Sequence, residues 1–530
     1  MDAGCRHIAF GLPLELLQNI FIFLADLCLG FYPPSRPGWI AITYVCRYWR
    51  SAALCLPELW SFITIPGFSF SWSQAMVERS SPLPMRIKLI IGPYPGIRSK
   101  SLATSVLLSA SRIRTLDLLG LPTDVLRFLD RLSSPSPLES LSLKVIGERG
   151  NIDLSEALFD RNAPHLHRLT LKSSACIRAP LWLLAGITHF TINGGFSLHE
   201  LFDTLKEMPQ LEMLYIRDGI VESEQVLSHV ALPRLSILFI SDSDLRRSVM
   251  IFSHIDAPPT LRKHLHISLD SPWERFTDTF PAAQSLIPHD TAPGVNNGGL
   301  RVAKVTGGPM RGSFDVWSRT FSENASADAA AFAHKDALFL LSIEWMRYHD
   351  ISYFEPYSFF RLERLCSHFC TARIEELTTI PEIPVKSRTD MQDALDAPDP
   401  VVQWQALLSA LPSVKTLRLH RGSTTCISLL SALSTSAGLL PLLQKILVTH
   451  SMIRYAAAAS AEGCNGVGNS GAEAVSAMAK HHLVKENMAA ELVDVLSRRS
   501  GLEVVLIECE VDEEALGALR ERAQIGRAHV

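Results

Sequence analysis

The chain has 530 residues, a formal net charge of −4 and ten cysteines. That length holds several domains or one long repeat array. So small a net charge gives no electrostatic case for nucleic acid or an anionic membrane as partner. Cysteines scattered without paired spacing suit a reducing compartment, cytoplasm or nucleus, over a disulfide framework.

The first predicted element is a helix from Pro13 to Leu27. Proline suits a first helical turn, where its missing N–H costs nothing, and Glu15 lies near the positive end of the helix dipole. At helical spacing Leu16, Leu17, Ile20, Phe21, Phe23, Leu24 and Leu27 fill one broad arc. Glu15, Gln18, Asn19 and Asp26 lie opposite, and Ile22 sits within that polar strip as an exposed aliphatic residue or a partner contact. The apolar run through Phe31 is too short and too polar to span a bilayer, and neither basic residues before it nor a small-residue cleavage site marks a signal peptide. An insert from Leu29 to Trp39, containing Gly30, Pro33, Pro34, Pro37 and Gly38, reads as a loop. A second helical stretch runs from Ile40 to Leu56, ended by Pro57, because a residue before proline avoids helical torsions. Pro57, Leu59 and Trp60 then form an apolar knob. Some fifty residues cannot bury so much apolar surface alone, so these helices pack on the rest of the chain or on another protein.

Three ordered strings stand in this segment: L-P-L-E-L at 12–16, V-C-R-Y-W-R at 45–50 and L-P-E-L-W at 56–60. The segment resembles the F-box of fungal adaptor proteins, departing from the shortest family form by the 29–39 insert. The resemblance covers only about the first 65 residues. It implies a small helical bundle that docks on the Skp-type adaptor of a Skp–cullin–F-box ubiquitin ligase. Carried over by motif, the docking residues are Leu12, Pro13, Glu15 and Leu16; Val45, Cys46, Arg47 and Trp49; and Leu56, Pro57, Leu59 and Trp60. The apolar helix face adds Leu17, Ile20, Phe21 and Leu24.

Downstream, the pattern apolar-x-x-apolar-x-apolar recurs at Ile113/Leu116/Leu118, Leu138/Leu141/Leu143, Leu166/Leu169/Leu171, Ile187/Phe190/Ile192, Leu211/Leu214/Ile216 and Leu235/Leu238/Ile240. Its middle positions advance in steps of 25, 28, 21, 24 and 24 residues. This is the period and core of leucine-rich repeats. Each alternating pair predicts a short strand. Pro137, Pro164, Pro209 and Pro233 mark turns just ahead of strands, and Asp124 to Leu132 and Leu198 to Met208 read as helical connections. The uneven spacing marks the repeats as degenerate, and an ordinary α/β domain with regularly spaced strands is the alternative. After Ile267 the pattern weakens. Residues 271–312 read as a loop or disordered insert, and repeat-like units resume at Leu338 to Ile343, Ile374 to Leu377, Val414/Leu417/Leu419 and Leu443/Ile446/Val448. An Ala/Gly/Ser-rich stretch at 455–482 reads as a mobile loop. A terminal helix at 485–498, a strand on Leu502, Val505 and Ile507, and a helix at 513–523 follow. The last six residues, 525–530, resemble a translated sequencing-adaptor remnant, with a genuine tail as the alternative, and lie outside this fold reading.

Rival chemistry finds little support. Cys366, His368 and Cys370 are closely spaced soft ligands, but no second pair completes a tetrahedral zinc site. The glycines at 463–471 are not followed by the lysine and hydroxyl of a phosphate loop, and Asn324-Ala-Ser326 is a glycosylation site only in a secreted protein. No G-x-S-x-G or H-E-x-x-H string is present.

The sequence therefore predicts an α/β chain: an N-terminal helical F-box domain (1–65) followed by a leucine-rich-repeat-like solenoid with a curved parallel sheet. Degenerate repeats span 66–270, further irregular repeats 313–454, and a helix–strand–helix cap 483–524. The implied function is a non-enzymatic substrate receptor with no cofactor or metal. It would bind the Skp-type adaptor and cullin complex at one end and an unnamed target protein along the repeats. The alternatives are a scaffold with no role in ubiquitin ligation, or an enzyme with a site in the solenoid.

Overall fold

The computed structural model describes residues 12–29, 38–65, 70–91, 110–132, 137–147, 151–217, 219–221, 228–242, 245–268, 302–307, 311–317, 339–346, 373–380, 400–420, 424–449, 452–453, 488–499, 501–507, 509–511 and 513–522. The chain divides into two compact units, Met1–Leu238 with His254–Pro259, and Phe239–Ser253 with Thr260–Val530. The boundary falls inside the 66–270 span that the repeat pattern treats as one stretch.

The first unit opens with helix α1 (Leu14–Leu29), a 3-10 segment (Gly38–Tyr44), α2 (Arg47–Leu54) and the one-turn α3 (Pro57–Trp60). The sequence predicts one helical stretch from Ile40 to Leu56, and the structure breaks it. Cys46 is extended (φ −158°, ψ 172°) and its Sγ accepts from the Trp49 amide, so it caps a fresh helix. Leu56 is extended, with Pro57 in the first turn of α3.

Then come β1 (Phe62–Ile65), α4 (Phe70–Arg79), β2 (Met85–Ile91), β3 (Ile113–Gly120), α5 (Pro122–Leu129), β4 (Ser140–Val145), β5 (Asn151–Asp153), β6 (Arg168–Ser173), β7 (Cys176–Arg178), α6 (Leu181–Leu184), β8 (His189–Asn193), α7 (Leu198–Lys206), β9 (Met213–Arg217) and β10 (Val230–Ala231). The main strands run β1-β2-β3-β4-β6-β8-β9, each parallel to its neighbour. Two core ladders cross β3 to β9. Leu116, Leu141, Leu169, Phe190 and Leu214 are successive register partners, as are Leu118, Leu143, Leu171, Ile192 and Ile216. All ten are buried. Ile113, Leu138, Leu166, Ile187 and Leu211 are buried as well, so the three-position repeat core is a leucine-rich-repeat-like stack. The sheet starts earlier than the repeat pattern indicates. β2 sets Ile87 and Leu89 against Leu116 and Leu118, and β1 sets Ile63 against Ile87.

β11 (Ile237–Asp242), α8 (Leu245–Ser253) and β12 (Ile255–Asp256) follow, β12 pairing with β10 inside the first unit. The second unit continues with β13 (Arg262–Ser268), β14 (Val302–Gly307), β15 (Arg311–Trp317), β16 (Phe339–Met346), β17 (Glu376–Ile380), α9 (Pro400–Ser409), β18 (Thr416–His420), α10 (Thr424–Thr435), β19 (Lys445–Thr449), β20 (Met452–Ile453), α11 (Met488–Arg498), β21 (Glu503–Ile507), β22 (Glu510–Val511) and α12 (Glu513–Arg522). β17, β18, β19 and β21 are parallel and in register, while α9 to α12 pack in succession.

Three readings change here. Residues 302–307 and 311–312 are not loop: β14 and β15 form an antiparallel hairpin, and β15 also runs antiparallel to β16. At β21 the core positions are Val504 and Leu506, set against Ile446 and Val448, where the repeat pattern nominates Val505 and Ile507. Four consecutive apolar residues, 504–507, fit either phase, and the neighbouring strand decides. β1, read with the helical domain, is a strand of the sheet. The 271–301 stretch, the 455–482 stretch and residues 525–530 lie outside the described residues.

Candidate docking surfaces

The arc predicted on α1 splits into two stripes. Leu17 and Phe21 are fully buried, and Leu24 is half-buried beside them. Leu16, Ile20 and Phe23, at i, i+4 and i+7, are 52%, 47% and 66% exposed. Seven helical steps, Leu16 to Phe23, carry that second stripe over roughly 10 Å. The buried stripe has partners. The Phe21 ring meets Trp49 edge-on with centroids 5.3 Å apart, and α1 packs on α2 and the 3-10 segment. The exposed stripe is covered by no described part of the chain. Ile22, placed on the polar strip by the sequence, is half-buried.

The motif residues likewise divide. Pro13, Glu15, Val45 and Arg47 are exposed, as is Tyr44 at 72%. Leu12, Cys46, Trp49 and Pro57 are half-buried. Tyr48 Oη donates to the Leu12 carbonyl at 3.2 Å, tying the chain start to α2. Leu56, Leu59 and Trp60 are buried. Five of the residues assigned to partner binding, Leu17, Phe21, Leu56, Leu59 and Trp60, are therefore interior and hold the module together. The motif spacing could not separate them, because motif residues serve fold and surface at once. Phe23 and Tyr44 belong to the exposed apolar surface and were absent from the motif set, although the i+7 spacing of Phe23 from Leu16 is legible in the sequence.

Trp60 is the seat of the module on the sheet. Its Nε1 donates to the Ala53 carbonyl at 2.8 Å. Trp39 meets it edge-on at 5.3 Å, Trp72 of α4 stacks on it at 5.9 Å, and the Arg79 guanidinium lies 4.5 Å over its ring.

The second surface is the sheet face of the first unit opposite the core ladders. Alternation puts every second strand residue there. Its middle row runs Lys88, Asp117, Ser142, Thr170, Thr191 and Tyr215 in register. Ser142 Oγ donates to Asp117 Oδ1 at 3.1 Å. Nearer the strand ends, Lys144, Lys172, Asn193 and Arg217 form a further row. At the strand entry, a hydrogen bond from Arg114 holds the Glu139 carboxyl below its ordinary range, and burial, with Arg168 and His167 nearby, pushes His189 down.

Other chemistry is sparse among the described residues. No group of three or more His, Cys, Asp or Glu side chains is placed to hold a metal, and no helix is long and apolar enough to cross a membrane. The described cysteines Cys46, Cys55, Cys176, Cys426 and Cys509 form no disulfide, and burial pushes the Cys176 thiol up to about 12. Cys366, His368, Cys370 and the glycines at 463–471 lie outside the described residues.

No family model matches the chain, and no curated protein is significantly similar to it. Among solved structures, a leucine-rich-repeat protein of Leptospira interrogans aligns at 10% identity over 80% of this chain and 98% of that chain, with a TM-score of 0.19. A superposition that loose carries no weight, and the repeat architecture stands on the register and burial described above.

Proposed function

We propose that the chain is a non-enzymatic docking protein: the substrate-receptor subunit of a Skp–cullin–F-box ubiquitin ligase, working in the cytoplasm or nucleus. The Leu16–Ile20–Phe23 stripe carries this reading. A helix that buries one stripe and leaves a second, more exposed apolar stripe in solvent presents a partner surface, and the stripe lies on the helix that opens the F-box-like motif series. Cysteines that form no disulfide among the described residues agree with a reducing compartment. In this role the chain catalyses nothing. It binds the Skp-type adaptor through α1 and the 3-10 segment and a target protein through the repeats, holding the target near an enzyme supplied by other subunits and raising its effective concentration.

The test is a pull-down of the full chain with a Skp-type adaptor, comparing wild type with a Leu16→Asp, Ile20→Asp double variant. Both side chains are about half exposed, so the variant keeps its fold, which circular dichroism checks. Capture by wild type and loss in the variant is the expected result. A folded wild type that captures no adaptor, or a variant that captures it equally well, removes the reading.

A further inference from the structure

We infer that the open sheet face of the first unit is a binding surface for an acidic, extended protein segment. This deepens the docking reading by giving the target site a chemistry. Arg86, Lys88, Lys144, Arg168, Lys172 and Arg217 all stand on this face, each at a position alternating with buried core residues. Among the strand residues of the face, Asp117 is the one described carboxylate. Glu139 and Glu212 lie at strand entries, Glu139 engaged by Arg114 at 2.8 Å and Glu212 close enough to His189 to act on its charge. Such a concentration of one sign is not a property of the chain as a whole, whose formal net charge is −4.

The arrangement is costly without a ligand. Lys144 and Lys172 are direct register partners on neighbouring parallel strands, about 4.8 Å apart at the backbone. Like charges directly opposite one another destabilise a strand pair. No acid–base pair engages either lysine among the described residues. Hydroxyl and amide side chains lie between the charges: Ser142, Thr170 and Thr191 in the middle row and Asn193 in the end row. Cations interleaved with neutral hydrogen-bonding groups match carboxylates on a peptide. Lys172 and Arg217 are two strands apart in one row, about 9.6 Å by strand spacing. A polyproline II segment makes one turn every three residues, about 9.3 Å, and so returns its side chains to the same face; acidic side chains at i and i+3 of such a segment crossing the strands meet both.

The face suits a polypeptide over a nucleic acid. Stacking of successive bases needs aromatic platforms at close intervals, yet Phe62 and Tyr215 stand on the first and last strands of the row.

The experiment measures binding of the full chain by fluorescence anisotropy to three probes: a labelled peptide with Asp or Glu at every third position and Ser between, its Asn/Gln counterpart, and labelled oligouridine. Wild type is expected to prefer the acidic peptide. A Lys144→Glu, Lys172→Glu double variant, with an unchanged circular-dichroism spectrum, is expected to weaken it by about tenfold or more, a loss of about 1.4 kcal/mol. Equal binding of the acidic and neutral peptides, an unaffected variant, or preference for oligouridine each overturns the proposal. Adaptor pull-down with the same variant keeps the two readings apart. Adaptor capture together with failed peptide discrimination sinks only the acidic-segment proposal, and failed capture with intact discrimination sinks only the adaptor reading.

Discussion

Adjacent residues on α1 do different work: Leu16 meets solvent while Leu17 is sealed inside, and Ile20 and Phe21 repeat the division. From the sequence these four are equivalent apolar residues in one arc, so which of them stay exposed is not legible there. The difference is made by where Trp49 and the 3-10 segment lie, which periodicity does not encode. A second residue-scale case is Glu491 on α11. Burial, and then the nearby Asp494, push its carboxyl above its ordinary value, against the Ser434 hydrogen bond and Arg498. The folded chain thus holds this proton more tightly than the unfolded chain. Above the ordinary value of 4.5, stability falls as pH rises through the raised folded value. Glu491→Gln is expected to raise the melting temperature at neutral pH, with the gain shrinking as pH falls toward the ordinary value. An equal or lower melting temperature at neutral pH refutes the assignment.

Among the elements, β8 and its exit show how tightly the repeats are stacked. Gly195 has φ +79°, and a Cβ there would lie 2.1 Å from the Ala175 carbonyl oxygen of the preceding repeat. Neither the torsion nor the space admits another side chain. Gly195→Ala is expected to lower the denaturation midpoint, corresponding to a loss of more than about 1 kcal/mol of stability. Gly438→Ala, where nothing lies within 4 Å and φ is not positive, serves as the benign control. Equal midpoints for the two variants refute the close-stacking account. The frame of these elements was largely legible: from β3 to β9 the L-x-x-L-x-L positions are the buried ones, because a period-two strand flanked by a third apolar residue leaves one phase. Five strands escaped for physical reasons. β1 and β2 precede the even spacing. The β14–β15 hairpin sits in glycine-rich sequence, although alternating runs flank the Gly307-Gly308-Pro309 string. β21 has four apolar residues in a row and takes its phase from β19. Exposed strand positions carry no periodic signal at all, so the basic rows emerge only when the register sets Lys144 beside Lys172.

Taken whole, the first unit is an array in which each repeat leans on the next, and such arrays need covered ends. β1 is the terminal strand of its sheet. The helical module closes that end through Trp60, whose ring is engaged by Trp39, Trp72 and Arg79. Removing residues 1–60 strips Trp39 and Trp60 from α4 and uncovers an open strand edge, a template for intermolecular pairing. Size-exclusion chromatography is expected to show the truncated chain aggregated. A monodisperse truncation with an unchanged melting temperature refutes the capping role.

The same contact has a consequence for how this protein can be dissected and how it can change. The proposed docking surface and the end cap are one piece of chain, so a deletion that removes the first also removes the second, and a null phenotype from a truncated allele says nothing about partner choice. Substitutions confined to Leu16, Ile20 and Phe23 escape this confusion. For the same reason these three exposed positions are free to drift over evolutionary time without loss of the fold, while Leu17, Phe21 and Trp60, buried in the same module, are held fixed by the array they close.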